Sequence, residues 1–325
     1  MTAPTRDIPR RAFERLAAYM NACILGQPEF VDLLLVAVLA DGHLLVEGAP
    51  GLAKTKAIKA LAKAIHCDDQ RIQFTPDLLP SDLTGTDMYR PEDGSFRFQR
   101  GPVFHNFILA DEINRAPAKV QAALLEAMAE RQVTVGGKTY ALPELFLVMA
   151  TQNPIEQEGT YPLPEAQLDR FLLHVKIDYP DLDAERQILR LVRGEAQGEV
   201  IALGERVSQS TIFAARREAL ATYMSEAVEE YLLQFVAATR APDRYGRDLA
   251  GLIAFGASPR GTIALDRSAR AHAWLRGRDY VVPEDVQAIA RPVLRHRILL
   301  TFEGQADGIT TDQFIEALIS RVPVS

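Results

Sequence analysis

Eight consecutive residues, Gly48-Ala49-Pro50-Gly51-Leu52-Ala53-Lys54-Thr55, have the make-up of a loop that wraps a phosphate chain. In such a loop backbone N–H groups converge on phosphate oxygens, and the following helix adds its positive N-terminal end. Gly48 and Gly51 permit close approach of the backbone. Lys54 is placed to reach the β- and γ-phosphates of ATP, and Thr55 offers a hydroxyl to Mg²⁺. Ala49, Pro50, Leu52 and Lys56 complete the stretch expected to contact the nucleotide. One position departs from the common pattern, with Ala53 standing where glycine is usual. An ordinary strand-to-helix turn that happens to carry a lysine is the competing account.

Four further constellations bear on that choice. Leu109-Ala110-Asp111-Glu112 closes an apolar run with two carboxylates. Asp111 is expected to hold Mg²⁺, commonly through water, and Glu112 to polarise the attacking water. The bland alternative is an acidic helix start. Asn153, in Met149-Ala150-Thr151-Gln152-Asn153-Pro154, puts an amide at the end of a buried strand, within reach of a γ-phosphate or its water. Taken alone, Asn before Pro is a turn former. Arg170, in Glu165-Ala166-Gln167-Leu168-Asp169-Arg170-Phe171, is a candidate finger for a neighbouring subunit's nucleotide, against a surface ion pair with Asp169 or Glu165. Arg260 follows Ser258-Pro259, a helix-start signal. A cation there opposes the helix dipole unless an anion such as a phosphate faces it; the alternative is a solvated arginine.

These residues need a scaffold that brings distant strand ends together. Helices are expected at Phe13 to Ala22 and Pro28 to Ala40, then a buried strand at His43 to Glu47 and a helix at Thr55 to Ile65. Short strands follow at Arg71 to Phe74, Asn106 to Ala110, Leu145 to Thr151 and Leu172 to Ile177, with an amphipathic helix at Ala118 to Arg131. Hairpins are expected around Pro91–Phe98, through Glu92, Asp93 and Gly94, and around Gly136-Gly137 in Gln132 to Leu142. Strands alternating with helices predict a parallel sheet covered on both faces. Beyond about Leu182 the pattern is mainly helical, at 184–193, 207–223, 226–239, 262–276, 283–295 and 311–320, with no strong strand and a loop-rich stretch at 241–256. The expected division is 1–200 for an α/β core with two hairpin insertions and 201–325 for a smaller helical domain.

Composition sets outer bounds. The 325 residues carry a formal net charge of −7, which argues against coating nucleic acid by bulk charge but leaves room for a local basic channel. Cys23 and Cys67 lack metal-ligand or disulfide context, and two buried thiols in a reducing compartment are expected. The N-terminal stretch has no secretory core and the most apolar run, 30–40, contains Asp32, so a cytoplasmic protein without membrane insertion is expected.

In this order the five features resemble the AAA+ ATPases, and most closely the MoxR family. The stretch 48–55 is similar to that family's Walker A, in which alanine at the position of Ala53 is familiar. Residues 109–117, Leu109-Ala110-Asp111-Glu112-Ile113-Asn114-Arg115-Ala116-Pro117, are similar to Walker B. Ala150–Pro154 is similar to sensor 1, 161–171 to the arginine-finger segment, and Ser258-Pro259-Arg260 to sensor 2. The resemblance implies an AAA+ P-loop fold, a three-layer α/β/α core followed by an all-α lid. It also implies a ring, usually hexameric, with ATP and Mg²⁺ between subunits. Lys54, Thr55, Asp111, Glu112 and Asn153 would act in cis and Arg170 in trans. Arg260 could act either way, and Arg115 is a second possible trans contact. Ile24, Gly26 and Gln27 would lie on the adenine side. The hairpins would be the helix-2 and pre-sensor-1 insertions. The implied function is an ATP-driven chaperone that remodels, matures or activates partner complexes, often with a von Willebrand factor A domain protein. A nucleotide-dependent binding module with slow turnover is the alternative, and a nucleic-acid motor a weaker one, since hairpin cations are few (Arg97, Arg100, Lys138).

Overall fold

The structure, a computed structural model, describes residues 7–92, 94–153 and 159–324; Asp93 of the first hairpin and Pro154 of the Asn153 segment lie outside the described residues. Helices Asp7–Cys23 (α1) and Pro28–Leu39 (α2) precede a strand, Leu44–Gly48 (β1), and a helix, Lys54–Ala64 (α3). The chain continues through Asp69–Gln73 (β2), Pro80–Thr84 (α4), Gly85–Arg90 (β3), Ser95–Arg100 (β4), Phe107–Asp111 (β5) and Ala118–Glu130 (α5). Gln132–Val135 (β6), Lys138–Ala141 (β7), Leu147–Gln152 (β8), Glu165–Leu168 (α6) and Leu173–Ile177 (β9) complete the α/β part.

Five strands form a parallel sheet in the order β2-β5-β8-β1-β9. Successive side chains on a strand face opposite ways, and the packing follows that rule. Leu44, Val46, Leu109, Leu147 and Met149 join one apolar cluster with α1, α2 and α3. Leu45, Ile108, Ala110, Val148 and Ala150 join a second with α5. The result is the three-layer α/β/α core expected from the strand and helix alternation. It also brings the carboxyl ends of β1, β5 and β8 side by side, where the candidate residues sit.

Beyond β9 lie Leu182–Ala196 (α7), Gln209–Leu220 (α8), Glu226–Arg240 (α9), Ile253–Phe255 (β10), Pro259–Leu275 (α10), Pro283–Leu294 (α11), Leu299–Leu300 (β11), Phe302–Ala306 (α12) and Thr311–Arg321 (α13). Asp181, Ser208, Ser225, Ser258 and Thr310 cap their helices by accepting from backbone N–H groups. Apolar packing runs without a break from α1 and α2 into α8–α11 and α13. Within this mainly helical part β10 and β11 pair antiparallel, Ile253 with Leu300 and Phe255 with Leu299. Strands of three and two residues, separated by a long helical stretch, are too short to show alternation. Cys67 is also only partly buried, whereas Cys23 is buried, and both are free thiols.

Both hairpins form. β3 pairs with β4, and β6 with β7. Phe98 stacks on Tyr140 at 4.1 Å between ring centres, which ties the two hairpins together. Tyr89 and Phe96 pair at the exposed end of the first. Among the described residues no helix is long and apolar enough to cross a membrane.

Candidate functional site

The loop between β1 and α3 is shaped by its small residues. A Cβ on Gly48 would stand 2.7 Å from the Ile177 carbonyl oxygen on β9, so sheet packing itself demands this glycine. Gly51 has φ +85 with open space around it, a left-handed geometry natural to glycine. Ala53 is also left-handed, with φ 57 and ψ 14, at the N-cap of α3. That geometry costs an L-residue about 1 kcal/mol or more, which is why glycine is common at this point of the loop. Lys54 opens α3 and its Nζ donates back to the Gly48 carbonyl at 2.7 Å. Burial pulls the Lys54 pKa below its ordinary value, and the charges of Asp111 and Glu112 pull it back.

Around this loop lies a cavity of about 430 Å³, lined by residues 50–56 together with Asp111, Glu112, Thr151 and Asn153. Adjacent strands hold the carboxylates. Thr151, on β8, donates its hydroxyl to Asp111 Oδ1 at 2.6 Å and accepts from the Glu112 N–H at 2.9 Å. Glu112 is left-handed (φ 56), a strained geometry that turns its side chain out of the strand register. Gln73 Nε2 donates to Glu112 Oε2 at 2.8 Å, and Arg115 Nε lies 3.0 Å from the same oxygen. Arg115 is thus paired with a carboxylate of its own chain. On the edge strand β2, Arg71 donates from Nε and Nη2 to Asp111 Oδ2 at 3.0 and 2.6 Å. Behind the carboxylates, the buried Gln121 amide donates to the carbonyls of Ile113, Ala116 and Tyr161, fixing the turn that follows Glu112.

Thr55 and Asp111 bring hard oxygen donors to one cavity beside Lys54, a set that suits Mg²⁺. Among the described residues no three His, Cys, Asp or Glu side chains gather into a site. The ion would therefore depend on phosphate and water oxygens, its usual mode in nucleotide sites.

Arg170 and Arg260 are not in this cavity. They line a second one, of about 380 Å³, with Asp169, Arg297 and His43. Arg170 Nη1 donates to the Leu125 carbonyl at 2.8 Å. Arg260 is exposed in the first turn of α10, where its N–H donates to Ser258 Oγ at 3.2 Å. Neither guanidinium has a carboxylate partner among the described residues. His43 accepts from the Val148 N–H at Nδ1 (3.0 Å), so its proton sits on Nε2, facing the Met128 carbonyl. Burial is the main reason its pKa falls to about 4.

The expected adenine-side residues do not line the phosphate cavity. Ile24 is buried in the core, a Cβ on Gly26 (φ +73) would meet Ala184 Cβ at 2.7 Å, and Gln27 Nε2 donates to the Asp178 carbonyl at 2.7 Å. They brace the segment between β9 and α7. Lys56 borders the phosphate cavity, yet its ammonium pairs with Glu195 of α7 at 2.7 Å. Sequence reasoning overlooked Arg71, Gln73, Thr151 and Arg297. The first two carried a usable signal, polar residues two apart on a strand beside that of Asp111, so that both face one side.

Comparison with known proteins agrees with this geometry. Residues 43–173 match the profile of the ATPase family associated with various cellular activities (AAA), and 249–318 match the AAA lid domain. The chain is 43% identical to the chaperone MoxR1 of Mycobacterium tuberculosis over 98% of its own length and 87% of that protein's. It is 36% identical to the MoxR protein of Paracoccus denitrificans, covering 96% of each. A solved structure from Cytophaga hutchinsonii, described as a candidate ATPase, superposes with a TM-score of 0.89 at 45% identity, over 98% of this chain and 96% of that one.

Proposed function

Since the chain belongs to the MoxR family of AAA+ ATPases, we propose that it is a chaperone that hydrolyses ATP at sites shared between copies of itself. The observation that carries this reading is the separation of two half-sites. One cavity gathers the phosphate loop and the carboxylates; the other gathers Arg170 and Arg260. The first offers a phosphate loop and a candidate water-activating carboxylate, the second two guanidinium groups without a carboxylate partner among the described residues.

In this reading the backbone of 48–55 and Lys54 hold the triphosphate. Ile24, Gly26 and Gln27 shape the adenine side from behind, and Thr55 and Asp111 hold Mg²⁺, which neutralises charge on the phosphates. Glu112 accepts a proton from the attacking water, while Asn153 orients that water or the γ-phosphate. Arg170 and Arg260 of an adjacent chain meet the charge that develops as the phosphoryl group departs. Placement of Arg260 beside Arg170, and away from its own phosphate loop, favours a trans role for both. Arg115, paired with Glu112, would act in cis.

A ring, hexameric as is usual in the family, satisfies every half-site at once. We divide the chain into a core of 1–200 and a lid of 201–325. The hairpins β3–β4 and β6–β7, with Tyr89 and Phe96 exposed, would face client proteins. The client is a protein complex that is remodelled, matured or activated in the cytoplasm, together with a separate von Willebrand factor A domain protein. Support for these last points is the family likeness and the relatives' designation as chaperones.

The test is ATPase rate per chain against protein concentration for wild type, Lys54→Ala, Glu112→Gln and Arg170→Ala. The wild-type rate should rise cooperatively as chains associate. Lys54→Ala should lose nucleotide binding, whereas Glu112→Gln and Arg170→Ala should bind and fail to turn over. A concentration-independent rate, or wild-type turnover in Arg170→Ala, would sink the shared-site reading.

A further inference from the structure

Three consecutive residues after α11 grip the strand end that carries Arg170. Arg297, whose side chain is 3% exposed, donates Nε to Asp169 Oδ1 at 2.7 Å. Its Nη2 donates to the carbonyls of Phe171 (2.5 Å) and Asp169 (3.4 Å), and its Nη1 to those of Leu172 (3.1 Å) and Val293. His296 offers Nε2 to the Phe171 carbonyl at 3.1 Å, and Arg295 offers Nη1 to that of His174 at 3.2 Å. The second oxygen of Asp169 accepts the Ser258 hydroxyl at 2.8 Å, and that same hydroxyl oxygen accepts the Arg260 N–H. A short bonded path therefore joins the two arginines: Arg170 to its neighbour Asp169, Asp169 to Ser258, Ser258 to Arg260, with Arg297 bracing the middle.

A buried ion pair alone says little beyond local integrity. This one is placed differently. It spans 128 residues of sequence, and its carboxylate, on the residue before Arg170, also accepts from Ser258 at the helix start that bears Arg260. Arg297 also satisfies carbonyls at the entry to β9, so the strand end cannot swing without breaking several bonds together.

We propose that Asp169 and Arg297 are positioning residues that lock Arg170 and Arg260 into one rigid block, so that both arginines meet an adjacent chain's phosphates as a unit. The inference rests on the reading that these arginines serve a second copy of the chain. A consequence is that the helical region moves with its own arginine-bearing strand end. It responds to the nucleotide of the neighbour more directly than to its own.

Mixed assemblies test this. Asp169→Asn keeps the side chain's shape and removes its charge. Alone, it should bind a non-hydrolysable ATP analogue within about twofold of wild type, while kcat falls at least about tenfold, the scale of a small misplacement of a catalytic group. Mixed with an excess of Glu112→Gln chains, it should regain turnover, since those chains present well-placed arginines to its intact phosphate cavity. Arg170→Ala chains mixed in the same way are the reference. If Arg170→Ala is not rescued, the shared-site reading fails. If Arg170→Ala is rescued and Asp169→Asn is not, or if Asp169→Asn keeps full kcat, the positioning role is overturned while the shared site stands. Ser258→Ala removes one bond of the block and should show a smaller kcat loss with the same rescue. Should Asp169→Asn fail to fold, Ser258→Ala decides by the same criteria.

Discussion

The phosphate cavity lies at the carboxyl ends of the sheet's strands and the arginine cavity beside the segments that enter β1 and β9, and they treat charge in opposite ways. At the first, every carboxylate is engaged: Asp111 by Thr151 and Arg71, Glu112 by Gln73 and Arg115. At the second, only the bracing cations are matched, Arg297 by Asp169 and Arg131 by Asp41. Arg170 and Arg260 have no carboxylate partner among the described residues. A guanidinium kept out of reach of carboxylates is electrostatically ready for an external anion. Under the proposed shared site, the contrast is between a first cavity organised to receive a ligand and a second organised to be presented to one.

The largest expected effects break the comparison at its two ends. Arg170→Ala should lower kcat about 10³-fold, in the range measured for arginine fingers, with analogue binding retained. Glu112→Gln should lower it by a similar factor through loss of the proton acceptor. The two must differ in mixtures: each should rescue the other, since one lacks only the presented half and the other only the receiving half. Steady-state rates of one-to-one mixtures check this, and additive residual rates would show that the halves do not belong to different chains.

Acid should separate the cavities next. His43 and His296 both lie on the arginine side, and burial pushes both pKa values down, that of His43 to about 4. Arg131 and Arg216 reinforce the depression at His43, while Asp41 and the Met128 carbonyl oppose it. The unfolded chain binds these protons at higher pH than the folded one. Stability is therefore complete above the ordinary histidine pKa of 6.5 and is lost as pH falls from there to about 4, by about 3 kcal/mol for His43. Thermal melts across that window should fall more steeply for wild type than for His43→Gln. Equal slopes would remove His43 as the acid-sensitive element.

The two cavities also differ in how far the sequence revealed them. That the loop 48–55, Asp111, Glu112 and Asn153 meet was legible because each sits at a strand end, and the parallel sheet followed from alternating elements. Arg170 and Arg260 were legible as candidates. Their shared cavity was not, because nothing local ties 170 to 260. The Asp169–Arg297 bond was invisible for the same reason, as was the pairing of β10 with β11. Contacts between distant segments of irregular length leave no periodic trace. At Lys56 and Gln27 the bonding partners lie far along the chain, Glu195 on α7 for the first and the Asp178 carbonyl after β9 for the second, and nothing in the local sequence announces them.

Ala53 gives the smallest effect and the sharpest check on the receiving half. Its φ of 57 places an alanine in a region that costs an L-residue about 1–2 kcal/mol. Ala53→Gly removes that strain but adds backbone freedom to the unfolded chain, which costs about 0.5–1 kcal/mol. The net should be a gain of about 0.5 kcal/mol, seen as a rise in melting temperature of about 1–2 °C. Nucleotide affinity should stay within about twofold, because the loop already holds the left-handed geometry that glycine would adopt. A large gain in affinity would mean that the alanine methyl group itself obstructs the phosphates, and that the receiving half is less prepared for its ligand than its bonded carboxylates imply.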